Sequence, residues 1–164
     1  MKKISISIGG VFVLFIACSQ PHDNTAVLQQ QIDTLQQQLR NVYTPGLGEF
    51  MSGIQVHHEK LWFAGKTENW KLADFEIGEM QEAIDDIKKY CTDRPEVASL
   101  PMLQPALDSV SHAVSRADGD AFRNGFVYLT ATCNNCHRAT KHEFNVIQLP
   151  TTVPFSNQVF EKPR

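Results

Sequence analysis

The stretch FRNGFVYLTATCNNCH, residues 122–137, decides how this chain folds. Phe122, Phe126, Leu129, Cys133 and Cys136 recur at spacings of four and three, so they share one face of a helix. The stretch ends in Cys133-Asn134-Asn135-Cys136-His137, a C-x-x-C-H unit, the pattern by which a haem is attached covalently to an exported protein. Two thiols three positions apart lie on one side of a helical turn, so both can reach the two vinyl groups of a single porphyrin. The histidine after the second cysteine then sits under the ring, where an imidazole nitrogen can ligate the iron. Two other chemistries use similar residues. A thioredoxin-like dithiol stands at the start of a helix after a strand, in a βαβ setting, and none is visible. A zinc site needs four ligands; only His142 follows, and Cys91 lies far upstream.

Working outward, 164 residues suffice for one domain with a real core. A formal net charge of −3 gives no reason to expect a nucleic-acid partner. The cysteines are Cys18, Cys91, Cys133 and Cys136. If haem takes two and a lipid takes Cys18, only Cys91 remains, which argues against a disulfide scaffold.

The chain opens with an address. Met1-Lys2-Lys3 is a positive start, and residues 4–17 are an apolar run too short to span a bilayer comfortably. Phe15-Ile16-Ala17-Cys18 resembles a bacterial lipobox, with Phe where Leu is usual. Residues 1–18 therefore read as a lipoprotein-type signal ending at a lipidated Cys18, and the protein as exported. Residues 19–45 read as a tether and a short heptad helix, whose apolar seam is Leu28, Ile32, Leu35, Leu39 and Val42. The seam suits a stalk that lifts the domain off the membrane; its alternative is a small coiled coil that makes a homodimer.

Thr44-Pro45-Gly46 breaks that helix. Residues 46–142 then carry four amphipathic seams. The first is Leu47, Phe50, Ile54, His57, Leu61 and Ala64, stopping at Gly65. The second, capped by Asn69, is Ala73, Ile77, Met80, Ile84, Ile87 and Cys91, with Lys88-Lys89 in a last turn that suits the helix dipole. A loop from Asp93 to Pro101 precedes the third, Leu103, Leu107, Val110 and Val114, with Pro105 in its first turn. The fourth is the stretch quoted above. Four such helices with short connections predict an all-α, up-down-up-down four-helix bundle. Residues 143–164 leave the pattern. Phe144, Val146, Ile147, Leu149, Val153, Phe155, Val159 and Phe160 are interrupted by Pro150, Pro154 and Pro163, so this tail is expected to be extended and packed on the bundle, either over the haem edge or as a cap on its apolar end.

In layout, residues 47–141 resemble a class II cytochrome c, the cytochrome c′ type. That family carries C-x-x-C-H near the end of the last helix of a four-helix bundle, whereas class I cytochromes c carry it near the N-terminus. Lys141 falls where the family often has a basic residue; Thr140 departs from the usual aromatic, and the family has no such tail. The resemblance implies one covalently attached haem c inside the bundle, held by Cys133 and Cys136, with His137 as proximal iron ligand.

The other axial position separates the functions. In an antiparallel bundle the first helix runs beside the last, which brings Met51, Ile54, His57 and His58 toward the haem. In class II cytochromes an apolar residue there leaves the iron open to small gases, and Met there makes an electron carrier. His57 occupies a seam position, where an imidazole is costly without a partner. Iron can be that partner, so His57 is the expected distal ligand; a bond to a neighbouring helix is the plain alternative. His58 takes the role if the helix is rotated by about 100°, and Met51 is a third choice. Met80 reads as packing, His112 and His142 as surface or loop-edge residues, and Trp62 and Trp70 as packing at the bundle end. The expected function is a monohaem c-type cytochrome, not an enzyme, that passes single electrons between redox partner proteins on the periplasmic side of a bacterial membrane. The alternatives are a five-coordinate binder of NO or CO and a haem-free structural envelope lipoprotein.

Overall fold

The computed structural model describes residues 24–40, 42 and 44–163; the expected signal sequence and the lipidation site Cys18 lie outside the described residues. Among the described residues there are five α-helices, α1 (Thr25–Arg40), α2 (Leu47–Lys66), α3 (Trp70–Tyr90), α4 (Gln104–Ser115) and α5 (Gly119–Ala139), a 3₁₀ segment (Pro95–Leu103) and no strand. The fold is all-helical, in keeping with a helical bundle. No helix among the described residues is long and apolar enough to cross a membrane. The chain divides into two compact units, residues 1–43 and 44–164.

In the first unit, α1 holds itself together with local bonds, such as Gln29 Nε2 to Asp33 Oδ1 at 2.9 Å. Its seam residues Leu28, Ile32, Leu35 and Leu39 are exposed.

In the second unit the helix starts and stops follow from local chemistry. Asn69 and Asp118 cap α3 and α5, their side chains accepting the backbone N–H of Leu72 and Ala121. Three helices end in a left-handed residue that is not glycine: Glu68 after α2, Ala117 after α4 and Lys141 after α5, with φ of 56°, 53° and 62°. Each makes the paired closing bonds of a Schellman motif. After α5, the Lys141 N–H donates to Arg138 O at 3.3 Å and the His142 N–H donates to His137 O at 2.7 Å. The expected loop after Asp93 is instead a 3₁₀ segment that buries Leu100 and Leu103. Pro105 sits in the first turn of α4, where its missing N–H costs nothing.

Packing pairs α2 with α3 and α4 with α5, with α2 also touching α5 and α3 touching α4. One core runs through all four, from Ile54, Leu61 and Ala64 through Met80, Ile84 and Ile87 to Val110, Phe122, Phe126 and Leu129. Gly65, which the sequence suggested as a helix stop, lies inside α2 and does something else. A Cβ there would fall 2.1 Å from Phe122 Cζ, so the glycine lets α2 approach the Phe122 ring. The aromatic layer around it includes Trp62, whose ring centroid lies 4.8 Å from that of Phe126, and Trp70, edge-on to Phe122 at 6.0 Å.

The tail has no regular structure and is tied down at both ends. Near its start Ile147 is bonded to α5. Near its end Phe160 is buried, its ring 5.8 Å from that of Phe63, and its carbonyl accepts from Thr67 Oγ1 at 2.7 Å and Asn69 Nδ2 at 3.1 Å. Residues 145 and 147 border the cysteine cleft, and residue 160 packs at the α2–α3 turn.

Candidate functional site

A cleft of about 240 Å³ opens between α2, the 3₁₀ segment, the last turns of α5 and the start of the tail. Its apolar wall includes Leu47, Met51, Ile54, Leu100, Leu103 and Ile147. Cys133, Cys136 and His137 all line it, and His58 lines it from α2. Neither Cys133 nor Cys136 is in a disulfide. Burial pushes the Cys133 thiol up to about 11, with the neighbouring Cys136 adding to the rise, and burial also raises Cys136. Both sulfurs are therefore neutral thiols at physiological pH, a form that does not coordinate metal or attack disulfides readily.

His137 is oriented by the tail. Its Nδ1 lies 2.6 Å from the carbonyl oxygen of Asn145. A carbonyl can only accept, so Nδ1 carries the proton and Nε2 keeps a lone pair. That is the tautomer an imidazole needs to act as a ligand through Nε2.

His58 is 3% exposed. Its Nε2 lies 2.9 Å from Thr130 Oγ1, and that hydroxyl in turn donates to Phe126 O at 2.9 Å. Because the hydroxyl's single proton is committed to the carbonyl, His58 donates from Nε2 and its Nδ1 is bare. Its ring packs on Phe126 with centroids 4.4 Å apart. Burial lowers its pKa to about 4, so the imidazole is neutral.

His57 is placed elsewhere. It does not line this cleft; its Nδ1 is 2.7 Å from Glu76 Oε2 on α3, and its Nε2 is 4.0 Å from Glu79 Oε2. It borders a separate acidic hollow with Glu49, Glu79, Glu82 and Asp86. The expectation that a seam histidine needs a partner holds, but the partner here is a fully buried carboxylate. The reason is geometric. A helix packed on two neighbours has two buried stripes one position apart: His57 lies on the stripe toward α3 and His58 on the stripe toward α5. Consecutive residues are separated by about 100°, so they cannot share a partner.

Several contributors were not singled out from the sequence. Glu76 has a readable signal, since it continues the three-and-four spacing from Ala73 to Met80 and so is a carboxylate on a buried seam. Arg94, Glu96 and His142 form a polar rim of the cleft. Arg94 Nη2 bonds Glu96 Oε1 at 2.9 Å, and this guanidinium holds the Glu96 carboxyl below its usual range. His142, expected at the surface or a loop edge, is half-buried on that rim, with Nε2 3.9 Å from Glu96. His112 is exposed and Met80 is core, as expected.

Two neutral thiols, one imidazole with a free Nε2 and an apolar wall fit covalent attachment, with Cys133 and Cys136 as thioether partners and His137 as ligand. Among the described residues no group of three or more His, Cys, Asp or Glu is arranged to hold a metal ion, so a zinc set is not assembled. The thiols sit in the last turns of α5 rather than at a helix start, unlike a thioredoxin-type dithiol. No protein-family model, curated protein or solved structure matches this chain.

Proposed function

We propose that the chain is a monohaem c-type cytochrome of the class II kind, which carries single electrons between redox partner proteins at the bacterial cell envelope. The observation that carries this reading is the convergence of Cys133, Cys136 and a tautomerically oriented His137 on one apolar cleft. Haem c bound there supplies an iron that takes up and releases one electron. The chain's own residues attach it, orient the proximal imidazole and exclude water. The distal position falls to His58, with Met51 as its alternative, because both line the cleft. We read α2 to α5 as an up-down-up-down bundle, α1 as a stalk, and Cys18 as the lipid anchor that keeps the domain on the periplasmic side of a membrane.

One observation favours the five-coordinate, gas-binding alternative. His58 Nε2 is already engaged by Thr130, so ligation through that nitrogen requires the bond to be surrendered. The two readings separate in one experiment on protein made with haem-maturation machinery. If the absorption spectrum of the ferrous form is unchanged by carbon monoxide and changes with it in His58→Ala, His58 is the ligand of an electron carrier. A rapid shift in the unsubstituted protein indicates an open site and the gas-binding role. A chain with no haem resistant to acid extraction is the haem-free lipoprotein, and the proposal falls.

A further inference from the structure

We propose that Asn134, one of the two residues enclosed by the cysteines, is a positioning residue: it pins the tail as a strap whose Asn145 carbonyl holds His137. The inference rests on the haem reading for its consequence, but its geometry is independent of it.

The strap is built from paired bonds. Asn134 Nδ2 donates to Ile147 O at 2.8 Å, and Asn134 Oδ1 accepts the Ile147 N–H at 2.8 Å. A side-chain amide that both donates to and accepts from one backbone residue fixes its position and direction, much as a neighbouring strand would. The Schellman motif at Lys141 reverses the chain, and the Asn145 N–H donates to His142 O at 2.9 Å, which tightens the reversal. Residues 143–145 form the turn that this bond closes, and pinning Ile147 fixes where that turn lies against α5. Phe144 and Val146 stand outward, 80% and 70% exposed, while the Asn145 carbonyl meets His137 Nδ1 at 2.6 Å.

The exposure of those two apolar side chains supports the idea. A tail placed by its own hydrophobic burial would put Phe144 and Val146 inside. Here they are outside while two polar residues make the contacts, so polar bonding decides the register. The far end is clamped separately through Phe160 on Thr67 and Asn69. The strap is thus held at both ends and cannot slide. Its chemical effect is local. A carbonyl accepting from Nδ1 fixes the imidazole's tautomer and ring orientation and makes Nε2 a stronger donor, which stabilises the more oxidised metal state. Asn134 acts on the iron through Ile147 and Asn145, without touching it.

The test uses the full chain with Asn134→Ala and Asn134→Asp. The aspartate keeps an acceptor for the Ile147 N–H and loses the donor. In Asn134→Ala the Ile147 amide is expected to exchange about 10- to 100-fold faster, as suits the loss of two partly buried bonds. The His137 ring, read in a long-range ¹H–¹⁵N spectrum, should pass from one tautomer to a mixture, and the reduction potential of the haem-loaded protein should rise. Asn134→Asp should fall between. If Asn134→Ala lowers thermal stability yet leaves the His137 tautomer and the potential where they were, Asn134 is merely structural and the proposal is overturned. If the chain carries no haem, the exchange and tautomer readouts still decide the strap, while the electron-carrier reading fails on its own.

Discussion

His57 and His58 are chemically identical neighbours that one step along α2 assigns to unrelated tasks. His58 enters the cysteine cleft as a neutral imidazole. His57 instead offsets the burial of Glu76, whose other carboxylate oxygen, Oε1, has no hydrogen-bond partner among the described residues. Truncating His57 strands the Glu76 carboxyl without its hydrogen-bond partner, at a typical cost of about 1–3 kcal/mol or more, whereas replacing both by apolar groups of similar shape can be nearly neutral. His57→Ala is therefore expected to lower the urea midpoint strongly, and His57→Leu combined with Glu76→Met to recover most of the loss. The haem spectrum should not change in either. A spectral change in His57→Ala comparable to that in His58→Ala would return His57 to the list of ligands.

Among the elements, α2 is crowded from two directions, by α3 on one side and α5 on the other. Gly65 is the point where that crowding is tightest. An added methyl overlaps the Phe122 ring, a rigid group with Trp62 and Trp70 packed around it. Overpacking of this kind typically costs about 1–3 kcal/mol. The helix-propensity gain of alanine over glycine, roughly 1 kcal/mol, works the other way. Gly65→Ala should nevertheless destabilise, and Gly65→Ala with Phe122→Leu should relieve part of the strain. An increase in thermal midpoint in the single variant would mean that the two helices separate easily. α2 ends at Lys66, one residue past Gly65, and the left-handed turn that follows it falls at Glu68, which no compositional signal marks. The bend falls there because Asn69 must turn to cap α3 and to hold the tail.

The whole molecule has a pH dependence that follows from His58. In the folded chain its pKa is about 4, below the unfolded value of about 6.5. Below pH 6.5 the unfolded chain therefore binds the proton first. The stabilising contribution of neutral His58 is complete above that pH and is lost as the pH falls toward 4. The difference corresponds to about 3 kcal/mol. Asp85 and Glu96, whose pKa values are lowered by Lys88 and Arg94, lose their smaller surface contributions further down the acid side. In the haem-free chain, urea stability measured from pH 7 to 4.5 should fall, and His58→Gln should flatten that fall. A profile with the same slope in both proteins would show that His58 keeps its ordinary pKa.

Much was legible without coordinates because it depends on neighbours in sequence. Helical periodicity placed the four seams of the second unit, Asn69 and Pro105 marked helix starts, and the five residues from Cys133 to His137 carry their chemistry in their spacing alone. A repeat of 3.6 residues sets which side chains share a face, whatever lies opposite. What lies opposite is a different kind of fact. The choice between His57 and His58 depends on how α2 is rotated between two neighbours, and both rotations satisfy the same pattern. The contribution of the 3₁₀ segment to the cleft and the arrival of Asn145 at His137 join residues far from regular repeats. So does the contact of Phe160 with the α2–α3 turn, across more than 90 positions. Such pairings are settled by packing and by where polar groups find partners. Only the tertiary structure brings those groups together.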